Sequence, residues 1–490
     1  MPSINDMFLI VVSCLAISFM YVIVVPTSLE HSNYVRLSYL VSLVMFVALW
    51  NLWENIDMSE TGYLYICQII FLEDYNLYFS LGVDGLSLPF LLLSLVITSL
   101  CFYSMENFKS SMLKLPRLKH AVICVLGIQI FTILSFLTTN LFFFYIFFES
   151  ILIPMFLFIG IWGSRERRIN AAYYFFLYTL IGSFFLLFGI LYLYTVSSSL
   201  DYTILNNICL NTEEQLILWI CFFIPFAVKV PMFPFHIWLP EAHVEAPTLG
   251  SVILASLLLK LGGYGFLRFT LPLFPIATEN YLCIVYLLGL LSIIYASFTT
   301  IRQSDLKKVV AYSSVAHMNV VVLGIFSNNY QGIDGSIYLM LGHGFVSAAL
   351  FFIIGILYDR YHTRAIRYYG GLVQTMPLFS IFFLIFTLAN MGFPGTVNFV
   401  GEFLIFIGIY EYSFSMVLFA ALSIVLGAVY SIFLYNRVVF GTSKLNIFSD
   451  LNRTEFFILV VLSIFTLYFG VYSVNITNLT SINITALFIK

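Results

Sequence analysis

Charge is scarce in this sequence. Only 9% of its 490 residues are Asp, Glu, Lys or Arg, against about 25% in a typical soluble domain. A water-soluble fold covers its outside with charge, so a soluble globular protein is excluded. The 61% of residues that are hydrophobic suit a chain whose outer solvent is lipid. The formal net charge of −3 supplies no basic surface for a phosphate backbone, which excludes nucleic acid as a partner. Clustered cysteine is also missing. Cys14, Cys67, Cys101, Cys124, Cys209, Cys221 and Cys283 stand singly, with no CxxC pair to hold an iron–sulfur cluster or a structural zinc. No GxGxxG follows a strand, so a dinucleotide-binding turn is absent. No Arg-rich amphipathic presequence precedes the first apolar run, which reads as a span. What is abundant is aromatic: 53 Phe and 32 Tyr, a bias expected of AT-rich coding such as that of an organelle genome.

A membrane-spanning helix needs about 20 mostly apolar residues. The hydropathy pattern predicts fourteen, at about 7–26, 35–51, 81–104, 119–138, 140–161, 170–196, 215–236, 247–268, 280–300, 308–327, 334–358, 374–410 (broken), 413–436 and 455–473, with 51–80 as an external loop. Loop charge supports an even count. The loops after odd-numbered spans hold 17 of the 21 Lys and Arg residues, among them Arg165, Arg167 and Arg168. The opposite side carries acids such as Glu54, Asp201, Glu213 and Glu214. The positive-inside rule then puts both termini outside.

Two spans carry breaks at membrane depth. Span 7 contains Pro231, Pro234 and Pro240, and span 12 contains Gly392, Pro394 and Gly395. Discontinuous helices five spans apart suggest two inverted five-helix repeats, and such breaks mark ion or substrate sites because the freed backbone groups must face protein or water. The expected fold class is all-α and polytopic. Helices 1–3 occupy 1–118, repeat one (helices 4–8) 119–268, repeat two (helices 9–13) 280–436, and the last loop with helix 14 437–490.

Six ionisable groups fall within the spans: Glu149, Lys229, Lys260, His317, His343 and Glu402. A charge at mid-membrane costs about 2.5–3.5 kcal/mol on insertion scales. Six in one chain point to an interior polar route. The types suit protons: burial raises a carboxyl pKa and lowers that of Lys or His, an opposite charge reverses both shifts, and histidine titrates near neutrality. The expected order is Glu149–Lys229–Lys260–His317–His343–Glu402, bridged by water and by hydroxyls such as Ser256, Ser313, Ser314 and Ser347. Each residue has a structural alternative. A buried Glu–Lys pair can serve as a lock, an intramembrane histidine can be satisfied by a carbonyl, and Glu402 can cap the amides of its broken helix. Structural roles for all six at one depth form the weaker reading.

His236, Glu241, His243 and Glu245 cluster in HIWLPEAHVE at the inner membrane surface. Their spacing matches no common zinc pattern, and proton uptake from the inner side suits them better. The basic loops read as topology signals, and runs such as FFFYIFF (142–148) as packing or lipid-facing residues. Sequons at Asn475, Asn478 and Asn483 matter only in a secreted chain.

Long motifs carry a family likeness. VDGLSLP (83–89), FFFYIFFESILIPMF (142–156), AVKVPMFPFHIWLPEAHVEAPTLGS (227–251), LLLKLGGYGFLRF (257–269), QSDLKKVVAYSSVAHMN (303–319), MLGHGFVSAALF (340–351) and LANMGFPGTVNFVGEFLI (388–405) resemble the antiporter-like subunits of NADH:ubiquinone oxidoreductase (respiratory complex I), and among them the mitochondrial chain 4 family. The likeness runs from about residue 80 to 455. EAHVEAPTLGS is closer to the mitochondrial than to the plastid branch, and Glu402 stands where other antiporter-like subunits tend to have Lys.

The resemblance implies that Glu149, Lys229, Lys260 and Glu402 conduct protons, with His317 and His343 between them. It implies a multi-pass subunit of the mitochondrial inner membrane, lying between sister antiporter-like subunits. NADH, flavin, iron–sulfur clusters and ubiquinone then belong to partner subunits, and this chain holds no cofactor and no metal. The chain departs from the family at Leu341–Gly342–His343, where serine is expected before the histidine. The missing hydroxyl leaves open which group or water hydrates His343. Two alternatives share the composition: a subunit of a multisubunit sodium/proton antiporter, and a structural subunit whose buried charges only lock helices.

Overall fold

A computed structural model of the chain describes residue 20 and residues 31–55, 62–63, 65–72, 76–107, 115–442 and 449–488. The first expected span, 7–26, lies outside these apart from residue 20. So do Lys109, Lys114, Lys444 and Lys490, and the loop acids Asp57, Glu60, Glu73 and Asp74.

In chain order the elements are α1 (His31–Asn55), β1 (Tyr65–Leu72), β2 (Leu77–Val83), α2 (Ser87–Asn107), α3 (Leu115–Leu137), α4 (Leu141–Trp162), α5 (Arg168–Ser197), α6 (Thr212–Lys229), α7 (Trp238–Glu245), α8 (Thr248–Leu273), α9 (Pro275–Arg302), α10 (Leu306–Ile325), α11 (Tyr330–Tyr361), α12 (Pro377–Asn390), α13 (Val397–Tyr412), α14 (Phe414–Val439), α15 (Arg453–Val471) and α16 (Val474–Phe488). Eleven of these helices are long and apolar enough to cross a membrane. In lipid every backbone polar group must be satisfied within the segment, which drives long apolar runs into helices.

Expected spans 7 and 12 are each two helices. Span 7 is α6 followed by α7, and span 12 is α12 followed by α13. Pro231 and Pro234 lie in the first gap, and Gly392, Pro394 and Gly395 in the second. Proline removes a backbone donor and glycine supplies conformations other residues avoid. At Gly392 φ is +74°, and an added Cβ would lie 2.6 Å from Glu402 Oε2. Glycine there lets the break close onto the carboxylate.

The structure corrects the all-α expectation at one place. Part of the expected external loop pairs as an antiparallel hairpin, with Tyr65 opposite Val83 and Leu72 opposite Leu77. Tyr65–Leu72 reads YICQIIFL, rich in the β-branched and aromatic residues that strands favour. Asn76, just before β2, has φ +49°, a left-handed conformation that Asn tolerates.

Burial sorts the helices. The apolar windows of α8 and α11 are wholly buried, whereas those of α5, α9, α14 and α15 are mostly uncovered. A helix apolar all round belongs in the centre or against lipid, and the outer ones show Ile181, Phe184 and Phe188 on their exposed faces. The central helices α8, α10 and α11 carry Lys260, His317 and His343, and α11 also packs along α13, which carries Glu402.

Candidate functional site

Glu149 lies at the end of the first half of α4. That helix is divided at Ile151, where Pro154 cannot donate to the carbonyl four residues back. The Ser183 hydroxyl on α5 donates to Glu149 Oε1, while Oε2 has no partner among the described residues. Lys229 ends α6 and is buried. Its ammonium makes no hydrogen bond among the described residues and lies 4.5 Å from the centre of the Phe148 ring, whose electron-rich face attracts a cation. No ion pair joins Glu149 and Lys229 among the described residues.

Lys260 lies between two π-helical turns of α8, Leu254–Leu258 and Phe266–Thr270. Such turns gather at functional sites because they loosen the backbone ladder. Lys260 Nζ donates to Ala255 O, 2.7 Å away in the first of them, and lies 2.8 Å from His343 Nδ1. An ammonium is donor only, so with Lys260 charged the His343 proton is on Nε2. His317 Nδ1 lies 3.1 Å from Glu402 Oε1, and the Tyr430 hydroxyl of α14 lies 3.3 Å from His317 Nε2.

These contacts correct the expected order. His343 stands next to Lys260, and His317 next to Glu402, the reverse of the expected places of the two histidines. The two histidines sit on neighbouring helices, and their distance along the chain does not say which one faces α8. The hydroxyls also differ from expectation. Ser256 donates to Val252 O, and Ser313 and Ser314 to Val310 O, each within its own helix. Among the described residues, Ser347 is the one of the four whose hydroxyl has no partner. Glu402 bonds His317 and none of the amides at its helix break.

The HIWLPEAHVE residues divide. Glu241 pairs with Lys308 at 3.4 Å on a half-exposed edge. His236 is buried with Nδ1 unpartnered. His243 is buried, stacks on Phe351 at 4.8 Å between ring centres, and has no partner for either ring nitrogen among the described residues. Beyond it a cavity of about 60 Å³ is lined by Trp162, Ser164, Lys307, Asp359 and Arg364 among others. Trp162 Nε1, Ser164 Oγ and Asp359 Oδ2 have no hydrogen-bond partner among the described residues, and Arg364 Nε lies 4.0 Å from Asp305 Oδ2. Burial pulls the Arg364 guanidinium below its usual pKa, with Asp305 opposing the shift. Among the described residues no three His, Cys, Asp or Glu side chains are placed to hold a metal ion.

Sequence reasoning missed Tyr430, one tyrosine among 32 with nothing local to set it apart. It also missed the buried pair Arg268–Asp84, 2.5 Å apart. Asp84 accepts from Ser87 N at 2.9 Å, which gives the VDGLSLP motif a structural purpose at the start of α2.

Buried titratable groups on central helices, beside two broken helix pairs, define a class: polytopic, antiporter-like membrane proteins. The family model for the transmembrane region of NADH:quinone oxidoreductase and Mrp antiporters matches residues 138–427. NADH-ubiquinone oxidoreductase chain 4 of Chondrus crispus is 49% identical over 454 residues, 91% of each chain. A chain in the structure of respiratory complex I from Thermus thermophilus with bound NADH superposes with a TM-score of 0.88 at 28% identity, covering 98% of this chain and 99% of that one. A chain of the Mrp complex from Dietzia sp. DQ12-45-1b gives the same TM-score, 0.88, at 17% identity, with 100% and 98% covered, a likeness of fold alone. The chain belongs to the NADH-ubiquinone oxidoreductase chain 4 family.

Proposed function

We propose that this chain is a proton-translocating subunit in the membrane arm of NADH:ubiquinone oxidoreductase, assembled between sister antiporter-like subunits in the mitochondrial inner membrane. Quinone reduction elsewhere in the complex drives it. NADH, flavin, iron–sulfur clusters and ubiquinone stay on partner subunits. The two broken helix pairs stand beside the eleven spans of the described residues, and the spans are arranged as two inverted repeats with both termini on the intermembrane-space side.

The observation that carries the reading is the contact of four titratable side chains in two pairs inside the central helices: Lys260 with His343 at 2.8 Å and His317 with Glu402 at 3.1 Å. A charged Lys260 hands its proton to His343 Nδ1, and His317 exchanges one with Glu402. The open Glu149–Lys229 pair is the switch. Closing it favours the charged form of both groups, and opening it releases the Lys229 proton toward Lys260. His243, between the cavity beside Lys307 and the centre of the molecule, is the uptake branch from the matrix. Identity of 49% to a chain 4 relative, against 17% to the Mrp chain, supports this reading over a sodium/proton antiporter.

The test is Lys260→Met in the assembled complex reconstituted into vesicles. Proton pumping per NADH oxidised falls by about tenfold or more, the scale of losing a positioned proton-transfer group. Normal pumping from a fully assembled variant would make the buried charges helix locks and nothing more.

A further inference from the structure

Between Lys260 and Glu402 the contacts stop once, at the step from His343 to His317. The two ring centres are 5.9 Å apart and the planes are inclined by 49°, and no hydrogen bond joins them. Asn398 packs against the turn of α11 that carries His343, at Gly342. It lies in the first turn of α13, one turn ahead of Glu402, and is wholly buried. Neither its Oδ1 nor its Nδ2 has a partner among the described residues. A buried amide left unpaired loses its hydration without gaining a partner, and leucine would fill the same volume without that cost.

Residue 342 explains how the amide fits. A Cβ at Gly342 would run into Asn398 Oδ1, and would lie 2.9 Å from Val397 Cγ1 and 3.1 Å from the Asn398 backbone nitrogen. The amide therefore occupies the space of a side chain at 342, next to His343.

We infer that Asn398 is a positioning residue for the proton step between the two histidines. The inference rests on the relay reading and deepens it. An amide does not titrate in the working range, so Asn398 carries no proton itself. Its Oδ1 accepts and its Nδ2 donates, so it orients the water through which His343 and His317 exchange a proton. No bond of Asn398 is made or broken.

The contrast that tests this is polarity at constant shape. Asn398→Thr and Asn398→Val differ by one hydroxyl in nearly the same volume, so a packing role treats them alike. In assembled complex reconstituted into vesicles, the Thr variant is expected to keep at least about half of the wild-type protons pumped per NADH, and the Val variant to lose about tenfold. Asn398→Ser against Asn398→Ala repeats the contrast if the Val variant fails to assemble. Equal pumping within each pair, at whatever level, overturns the role of Asn398. Lys260→Met in the same assay separates the two claims. If it pumps poorly while Thr and Val are equal, the relay stands and only this inference falls; if it pumps normally, the relay reading falls and this one with it.

Discussion

A buried histidine held by a carboxylate on one side and a phenol on the other has one orientation. His317 is such a residue, between Glu402 at 3.1 Å and Tyr430 at 3.3 Å. Tyr430→Phe keeps the ring and removes the hydroxyl at Nε2. A hydrogen bond of about 1 kcal/mol lost in the proton step slows pumping about fivefold, whereas His317→Leu removes the titrating group and is expected to cost about tenfold or more. The same vesicle assay ranks the two; equal pumping by Tyr430→Phe and wild type would leave Tyr430 a packing residue. The buried ionisable residues were legible in the sequence because charge is so scarce: a Lys or Glu inside a 20-residue apolar run stands out against 9% charge overall. Their order in space was not legible. His317 and His343 are on different helices packed side by side, and hydropathy contains no term for which face turns toward α8. Tyr430 was invisible for the opposite reason, since tyrosine is common here and its hydroxyl gains meaning only from its neighbour.

Among the elements, α2 and α8 are tied by a buried ion pair, Asp84 with Arg268. The guanidinium also lies over Tyr63 and Tyr202, at 5.0 and 5.2 Å from the ring centres, and its Nε donates to the Tyr264 hydroxyl at 3.1 Å. Removing one partner strands the other charge. Arg268→Met is expected to destabilise the chain by about 3–5 kcal/mol, read as a lower yield and melting temperature of assembled complex. The double variant Arg268→Met with Asp84→Asn strands no full charge and should recover part of the loss. A double variant as poor as the single one would mean that Arg268 matters through its ring contacts instead. Helix breaks were legible because Pro and Gly at 231, 234, 392, 394 and 395 have direct backbone consequences. The π-helical turns around Lys260 were not. Leu254–Leu258 is LASLL, sound α-helix sequence, and the extra residue per turn is fixed by what packs around it. The hairpin was hidden by the polar residues near it, which averaged the strands into a loop.

For the whole molecule, the reading stands on a direction across the membrane, taken from the asymmetry of loop charge. Two native cysteines probe it. Cys209 is exposed in the connection between α5 and α6, on the side that also carries Asp201, Glu213 and Glu214, while Cys283 is exposed on α9 within the lipid-facing belt. With odd loops in the matrix, a membrane-impermeant maleimide should label Cys209 in mitoplasts, whose outer inner-membrane face is open, and leave it unlabelled in inverted inner-membrane vesicles. Cys283 should resist the impermeant reagent in both and react with a lipid-soluble one, because a thiol facing hydrocarbon meets little water to ionise it. Labelling of Cys209 only in inverted vesicles would reverse the chain. The His243 branch would then open to the intermembrane space, and the uptake route from the matrix would have to start at the opposite end of the file.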